Sequence, residues 1–238
     1  MPLNLNPILL AAAAVLALHA SAAQANLLVN GSFETGPAPG ANLNMLGGST
    51  AITGWTVTGS TIDYVGSLWQ HADGTRSIDL DGSSFPYTNG GVAQSFATTP
   101  GTAYAVRFDL AGNPNNAPTL KPMRVSAAGQ SQDLTFDITG RSYADMGWLS
   151  RSWTFSAVAA TTTLEFRSLT QSPLLGWGAA LDNVSVTVIP EPGTWALMLS
   201  GLLAVAGMAR RHRNVGAPAG TDAEPEGAAR ARTHPKEL

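Results

Sequence analysis

The residues best suited to catalysis are the carboxylate pair Asp79 and Asp81 and the single histidine of residues 26–189, His71. The two aspartates lie two apart in a predicted strand, so their side chains share one face. Glycoside hydrolysis needs two carboxyl groups about 5 to 10 Å apart across a cleft, a separation that such neighbours could approach. One of them would need a raised pKa to act as the acid. A Ser-His-Asp site would have to use His71, but no serine lies in a Gly-x-Ser-x-Gly turn. The residues therefore favour a non-enzymatic protein, with a hydrolase as the less favoured alternative.

A second chemistry is suggested by the polar residues that follow Trp69. Aromatic rings stack on the apolar faces of sugars, and charged or amide side chains bind the hydroxyl groups. We therefore predict a carbohydrate-binding patch formed by Trp69, His71, Asp73 and Arg76. The alternative is a turn in which the pair Asp73-Gly74 shapes the backbone. Further candidates expected in or near loops are Tyr87, Tyr143, Trp148, Trp177, Asn113 and Asn115.

Strands must position these groups, because apolar and polar residues alternate along most of residues 26–189. The alternation is clearest at Tyr104–Leu110, Trp153–Phe155, Leu164–Phe166 and Val184–Val188. About ten short segments divided by Gly, Pro and Asn clusters predict an antiparallel β-sandwich. The shorter candidates are Trp55–Thr58, Ile62–Val65, Ser77–Asp81, Val92–Ala97, Met123–Ala127 and Asp133–Ile138. The stretch Gly36–Thr50 is rich in Gly, Pro and Asn and is expected to be a long surface loop.

Composition limits the classes of protein to which this domain can belong. Residues 26–189 suit one domain, and because they contain no cysteine, a packed core must supply the stability without disulfides. They contain seven Lys or Arg and eleven Asp or Glu, a net charge of −4. Nucleic-acid binding would need a basic surface, so this composition argues against it.

The N-terminus has the pattern of a signal peptide that directs the chain to the export machinery. Residues 8–18 are apolar, and Ala23 and Ala25 form a small-x-small site that predicts cleavage before Asn26. The residues before the apolar stretch lack Lys and Arg, so an uncleaved anchor is the alternative. We assign residues 1–25 to the signal peptide.

The C-terminus carries three features in order: Pro190-Glu191-Pro192, the apolar run 194–209, and a cluster containing Arg210, Arg211 and Arg213. The run is uncharged and predicts a transmembrane segment, with the arginines on the cytoplasmic side. It is short compared with the usual span of about 17 to 25 residues, which favours a temporary anchor over a permanent one.

This order of features resembles the PEP-CTERM sorting signal of Gram-negative bacteria, here over residues 190–213. The resemblance implies processing by exosortase in cells that make exopolysaccharide. Such signals normally end shortly after the arginines, whereas this chain continues through residues 214–238. That tail is rich in Ala, Gly, Pro and charge, and its composition predicts disorder.

Several motifs within residues 26–189 carry a second resemblance. Together they resemble the choice-of-anchor C family of bacterial surface proteins and a domain of unknown function found in plant cell-wall proteins. Both are similar to galactose-binding-like jelly rolls, so the resemblance implies an all-β, antiparallel jelly-roll β-sandwich. The motifs are NLLVNGSFE, GWTVTGSTIDYVG, LWQHADGTRSIDLDG, GGVAQSFATTPG, YAVRFDLAGNP and ALDNVSV.

The jelly-roll resemblance also implies a structural calcium ion where the first and last strands meet. Glu34 ends the first-strand motif and Asp182 lies in the last, so the two carboxylates are the expected ligands. Asn30 and Ser32 could add oxygen atoms. The alternative is that Glu34 and Asp182 only accept hydrogen bonds from loop N–H groups.

These observations predict an exported surface or extracellular-matrix protein of a Gram-negative bacterium, held briefly in the membrane and sorted by exosortase. The leading hypothesis is association with carbohydrate in exopolysaccharide or biofilm. The alternative is a structural or adhesive matrix protein that does not recognise sugar.

Overall fold

The computed structural model describes residues 25–84, 89–170, 176–190 and 198–207. Contacts divide the chain into two compact units, with the boundary after Ile189. Within the described part of the first unit there are eleven strands. They are β1 (Asn42–Leu46), β2 (Thr56–Thr58), β3 (Thr61–Val65), β4 (Ser77–Asp79), β5 (Gly91–Ala97), β6 (Ala103–Gly112), β7 (Leu120–Ala127), β8 (Gln130–Asp137), β9 (Leu149–Ser156), β10 (Thr161–Ser168) and β11 (Ala179–Val188).

The strands form two sheets that pack face to face as a jelly-roll sandwich. The six-stranded sheet has the order β1-β3-β4-β11-β6-β9, and the five-stranded sheet has the order β2-β5-β10-β7-β8. Neighbouring strands are antiparallel in both sheets. The predicted fold class is therefore confirmed. We call the face of each sheet that points away from the other sheet its outer face.

The core lies between the sheets and is filled by the alternating apolar residues predicted from the sequence. Val106, Phe108 and Leu110 of β6 are at most 2% exposed, and Phe108 meets Phe166 of β10 with ring centroids 5.0 Å apart. Burying each large apolar side chain contributes about 1.5–3 kcal/mol. The central strands of the two sheets are therefore held by a continuous apolar layer.

The N-terminal segment 26–34 is not the strand that its motif predicted. Asn30 and Phe33 have φ of 55° and 61°, a backbone conformation that cannot continue a β-ladder. The segment nevertheless lies along β11, where Leu27 N–H donates to the carbonyl of Val186 at 2.9 Å. Gly31 permits this close approach, because a Cβ there would lie 2.0 Å from the carbonyl oxygen of Val184. The prediction of a strand was wrong, whereas the predicted packing of the two ends was right.

The stretch Gly36–Thr50 is not wholly a loop, because it contains β1. This strand pairs with β3 at the edge of the six-stranded sheet. Asn42 and Asn44 donate their amide N–H groups to the carboxylate of Asp63, at 2.9 and 2.8 Å. The strand thus supplies partners for an acid that is only 6% exposed.

Two loops cover part of the outer face of the six-stranded sheet and form a third layer. Residues 66–76 and 138–148 are joined where Gln70 N–H donates to the carbonyl of Tyr143 at 2.8 Å. Met146 in the second loop is fully buried. The loops leave the outer faces of β6, β9 and the adjacent part of β11 open.

In the second unit, residues 198–207 form an exposed helix. The predicted segment 194–209 extends beyond the described residues at both ends. Pro190 is exposed, whereas Glu191, Pro192, Arg210, Arg211 and Arg213 lie outside the described residues, as do Ala23 and the tail 214–238.

Across the described ranges, no helix combines the length and apolar character needed to cross a membrane.

Candidate functional site

The predicted carbohydrate patch is brought together only in part. Trp69, His71 and Arg76 line one depression of about 420 Å³ beside Gly66. Trp69, however, is only 5% exposed, and its indole Nε1–H donates to Ser77 Oγ at 2.8 Å. The expectation that this ring is available for stacking is therefore wrong, because the ring is buried within the third layer, between Tyr143 and Ser77.

The polar groups of the patch are engaged within the protein. His71 Nδ1 lies 2.9 Å from Ser77 Oγ, and Nε2 lies 2.6 Å from the carbonyl oxygen of Gly66. Because only an N–H can pair with a carbonyl, this pattern fits the neutral Nε2–H tautomer. Burial lowers the pKa of His71, which favours the same neutral form.

Arg76 and Asp73 are also used internally. The Arg76 guanidinium donates to the Tyr64 hydroxyl at 2.8 Å and to the carbonyl of Gly36 at 3.1 Å. Asp73 accepts a hydrogen bond from Ser32 Oγ at 2.7 Å and does not line the depression. Gly74 has φ of 60°, as a tight turn requires. The geometry thus favours the alternative in which this segment is a structural turn.

Glu34 and Asp182 approach the loop 72–76 and hold it through hydrogen bonds. Glu34 Oε1 accepts from the N–H groups of Thr75 and Arg76, each at 2.8 Å, and Oε2 accepts from the Thr75 hydroxyl. Asp182 Oδ2 accepts from the N–H groups of residues 72 and 73, at 2.9 and 3.0 Å, and Oδ1 accepts from Asn183 N–H. We call this arrangement the loop clamp.

The loop clamp as placed does not fit a calcium ion. Calcium prefers six to eight oxygen ligands, but every carboxylate oxygen of the clamp already faces an N–H or O–H donor. Asn30 and Ser32 are also engaged, with Thr35, Thr53 and Asp73. No group of three or more His, Asp or Glu side chains within the described ranges is arranged to hold a metal. Burial raises the pKa of Asp182 to about 7. The calcium ion that the jelly-roll resemblance implies at Glu34 and Asp182 stays a prediction, and binding it would require these hydrogen bonds to open.

Asp79 and Asp81 lie at the end of β4, and each is only 1% exposed. Asp79 accepts hydrogen bonds from Gly178 N–H at 2.9 Å and from the Asn113 amide at 2.8 Å. Asp81 accepts one from Ser168 Oγ at 2.8 Å. Burial and the nearby Asp81 carboxylate raise the pKa of Asp79 well above its usual value, and burial raises that of Asp81 to about 6.

Lys121 completes what we call the buried acid cluster, Asp79, Asp81 and Lys121. Its Nζ donates to the carbonyls of Trp177 and Asn116, at 2.8 and 3.2 Å. Burial lowers the pKa of Lys121, and the two aspartates oppose that change. Because the cluster is enclosed and hydrogen-bonded within the protein, its placement does not support the hydrolase hypothesis.

The open part of the outer face carries two adjoining depressions that share Asp109 and Ser150. One has a volume of about 290 Å³ and the other about 320 Å³. We call the two together the outer groove. The first is lined by Arg107, Phe108, Asp109, Ser150, Arg151, Ser152, Asn183 and Ser185, and the second by Gln70, His71, Ala72, Asp109, Asp145, Gly147, Trp148 and Ser150.

Strand register places the polar residues of the outer groove in rows across the sheet. Arg107 of β6 pairs with Ser152 of β9 on one side and Ser185 of β11 on the other. Asp109 similarly pairs with Ser150. Because β6 points its apolar residues into the core, Arg107 and Asp109 must point outwards.

A β-bulge in β11 brings one more residue into the groove. The register between β11 and β6 shifts between Asp182 and Ser185, and Asn183 has φ of 50°. Asn183 Nδ2 donates to Asp109 Oδ2 at 2.9 Å, while Ser150 Oγ donates to Asp109 Oδ1 at 2.6 Å. The bulge thus re-aims a side chain towards the groove.

Trp148 is the aromatic residue that the loops contribute to the outer groove; Phe108, which also lines it, is buried in the core. Its Nε1–H donates to the carbonyl of Gln70 at 2.8 Å, which fixes the orientation of the ring. The ring is partly buried against the third layer. Trp148 was among the loop aromatics named from the sequence. The other candidates are placed differently: Tyr143 packs on Trp69, Asn113 is buried, and Tyr87 lies outside the described residues.

The sequence patterns did not single out the polar strand residues of the outer groove, Arg107, Asp109, Ser150, Ser152, Asn183 and Ser185. Arg107 and Asp109 were recognised only as the polar half of an alternating strand. A charged pair there could face open solvent or lie beneath another layer. Only the strand order and the position of the loops distinguish these cases.

The fold and the groove define a jelly-roll β-sandwich with an open polar face. The chain belongs to the DUF642 family, described as a protein of unknown function, which matches residues 26–187. Residues 188–214 match the PEP-CTERM protein-sorting motif. Both matches confirm resemblances drawn from the sequence, to the sorting signal and to the domain of unknown function of plant proteins.

Two relatives are similar to most of this chain. Halomucin of Haloquadratum walsbyi is 34% identical over 178 residues, which cover 72% of this chain and 2% of halomucin. The Arabidopsis thaliana protein DUF642 L-GALACTONO-1,4-LACTONE-RESPONSIVE GENE 1 is 23% identical over 180 residues, covering 70% of this chain and 44% of that protein. The chain thus spans less than half the length of either relative.

Solved structures of carbohydrate-binding modules show a distant similarity. TmCBM61 in complex with beta-1,4-galactotriose has a TM-score of 0.46 and 17% identity, covering 69% of this chain and 99% of that one. The CBM22-1 xylan-binding domain of Paenibacillus barcinonensis Xyn10C has a TM-score of 0.41 and 13% identity, covering 63% and 94%. At these scores the similarity carries no argument about a ligand.

Proposed function

We propose that this chain is an exported surface or extracellular-matrix protein that binds carbohydrate through the outer groove. The observation that carries the proposal is the groove itself. It presents hydroxyl, amide, carboxylate and guanidinium groups in an open depression with Trp148 in its wall. Sugar recognition needs this combination of hydrogen-bonding groups and an aromatic ring.

Preorganisation of the groove supports binding. Its side chains project from three hydrogen-bonded strands, and the Trp148 indole is held by Gln70. Side chains that are already ordered lose little conformational entropy when a ligand binds. A rigid polar face of this kind suits a saccharide, whose hydroxyl groups require donors and acceptors at defined positions.

The C-terminal motif supports the location that we propose. The match over residues 188–214 favours sorting by exosortase, with the apolar segment holding the precursor in the membrane before processing. The domain would then act among exopolysaccharide or biofilm at the surface of a Gram-negative bacterium. Processing by exosortase and the form of the final anchor are parts of this proposal.

Strand β8 favours a second candidate function, a structural or adhesive matrix protein that self-associates. It is an edge strand of the five-stranded sheet, and seven of its eight residues are at least partly exposed. An exposed edge offers unpaired backbone groups to another chain. Concentration-dependent oligomers on a sizing column, without any glycan bound, would favour this candidate over the first.

The test is a glycan array that includes bacterial exopolysaccharides, probed with the full chain in a nonionic detergent that has no sugar headgroup. We expect a reproducible hit that Trp148→Ala abolishes and that the partly buried control Trp177→Ala retains. Thermal unfolding of each variant shows whether it is folded. Silence across the array from a folded protein would overturn the proposal.

A further inference from the structure

On the open face of β6 the outer groove contains a cation whose hydrogen-bonding capacity is unused. The Arg107 side chain is exposed and makes no hydrogen bond or ion pair with any residue in the described part of the chain. A guanidinium group has five N–H donors in a planar fork. Serine hydroxyls from both neighbouring strands flank it, from Ser152 and Ser185.

The other basic residues of the described domain do not present a free cation to the groove. Arg76, Lys121, Arg124 and Arg141 are paired with acids, carbonyls or a hydroxyl elsewhere. Arg151 also lines the first depression, but it pairs with Phe108 in register, so its side chain leaves β9 on the face opposite to Ser150 and Ser152. Arg167 lies on β10 in the other sheet.

The acids near Arg107 limit where an anionic group could lie. Asp109 is two residues along the same strand, roughly 7 Å away, and is 9% exposed. Its carboxylate is occupied by Ser150 and Asn183 and does not pair with Arg107. Asp145 lines only the second depression. A ligand anion would therefore be repelled at the Asp109 end and attracted to the row that contains Arg107.

From this geometry we propose that the outer groove binds acidic glycans, and that Arg107 binds the carboxylate or sulfate of the sugar. The inference rests on the proposed function and names its ligand class. A guanidinium binds such a group through two parallel N–H···O bonds, and the flanking serine hydroxyls can donate to the same oxygens. The neutral part of the saccharide then extends past Asp109 towards Trp148.

The test uses charged and neutral forms of the same polymers. Alginate is compared with its propylene glycol ester, in which the carboxylates are masked, and dextran sulfate is compared with dextran. Binding of the full chain is measured by affinity electrophoresis or titration calorimetry, for wild type, Arg107→Gln and Arg167→Gln. The last variant removes the same charge from the opposite sheet and serves as the control.

We expect wild type to bind at least one charged polymer about tenfold or more tightly than its neutral form. Arg107→Gln should remove that preference, and Arg167→Gln should keep it. Preferential binding of alginate would indicate that the groove recognises carboxylate, and preferential binding of dextran sulfate would indicate sulfate.

Equal binding of the charged and neutral forms, or an unchanged preference in Arg107→Gln, would overturn the inference. Hits confined to neutral glycans on the array would also overturn it, while leaving the proposed function standing. Silence from a folded protein on every glycan would overturn both.

Discussion

The Trp69–Arg76 segment and the strand residues of the outer groove are both polar and both lie on the outer face of the same sheet. Residues 70–72 of the segment also line the groove, yet the two regions differ in what they can offer a ligand. In the segment, Trp69 is buried and His71 and Arg76 donate to groups of the protein. In the groove, Arg107 remains exposed. The difference shows that a dense run of polar residues is evidence of hydrogen bonding, but not of hydrogen bonding to a ligand.

Burial is the physical cause of this difference. The loop 138–148 packs on Trp69 and bonds to Gln70. Each polar group that becomes buried must find a partner in the protein, because an unpaired buried donor costs about 1–3 kcal/mol. The groove is not covered, so water can satisfy its donors until a ligand replaces it.

The largest expected effect comes from exchanging the two tryptophans for alanine in turn. Trp69→Ala should lower the free energy of unfolding by about 3–5 kcal/mol, because it empties a buried site. Trp148→Ala should cost less, since its ring is only partly buried, but should abolish glycan binding. Urea denaturation and the glycan array measure the two quantities. A Trp69→Ala variant that keeps wild-type stability but binds no glycan would show instead that the Trp69–Arg76 segment is the glycan-binding site.

The buried acid cluster should make stability depend on pH. The pKa of Asp81 is about 6 in the folded state and near 3.8 when unfolded, so the folded state holds the proton that the unfolded state loses between these values. Stability should therefore fall as pH rises from about 4 to 6, by on the order of 2–3 kcal/mol.

Urea denaturation at several pH values measures that slope. Asp81→Asn should reduce it, while Asp79 and Asp182, whose pKa values are also raised, keep a slope of the same sign. Arg107→Gln is the control and should leave the slope unchanged, because the groove takes no part in this titration. A slope of opposite sign would contradict the placement of the cluster in an enclosed site.

The loop clamp should contribute less to the free energy of unfolding than the buried acid cluster does. Glu34→Gln weakens charge-assisted hydrogen bonds to Thr75 and Arg76 and should cost about 2 kcal/mol. Because these hydrogen bonds occupy the carboxylate oxygens, a chelator should leave the unfolding temperature unchanged. Scanning calorimetry with calcium and with EDTA measures this. A rise of several degrees with calcium, absent in Asp182→Asn, would show instead that the clamp opens to take up the predicted cation.

The smallest expected effect on stability is that of Arg107→Gln. An exposed side chain without protein partners should change the free energy of unfolding by no more than about 0.5 kcal/mol. The same urea denaturation measures it. A loss of stability comparable to that of Glu34→Gln would mean that Arg107 is a structural residue. The contrast between the Trp69–Arg76 segment and the outer groove would then fail.

Much of the fold could be predicted because the strands repeat a local pattern. Tyr104, Val106, Phe108 and Leu110 alternate with polar neighbours, and the structure buries all four. Strand β1 was missed because its five residues lie within a stretch of Gly, Pro and Asn. The motif over residues 26–34 wrongly predicted a strand, because the left-handed backbone at Asn30 and Phe33 breaks the β-ladder. Side-chain patterns do not report this backbone conformation.

The candidate site could be predicted less well, because local composition does not report burial. Trp69 and His71 were chosen for their polar neighbours. Trp69 packs against Tyr143 of a loop about seventy residues further along the chain, and His71 is held by Gly66 and Ser77. Asn183 stands out only once the register shift with β6 is known.

By itself, the sequence determined the class of fold, the sorting motif that follows the domain, and the residues available for chemistry. Period-two alternation and short motifs are local, so they can be read along the chain. Tertiary structure decided which polar residues are free. The groove draws Arg107, Ser152 and Ser185 from three strands far apart in the chain, and only their antiparallel register makes them neighbours. Availability to a ligand depends on what covers a residue, and that is a property of the folded molecule.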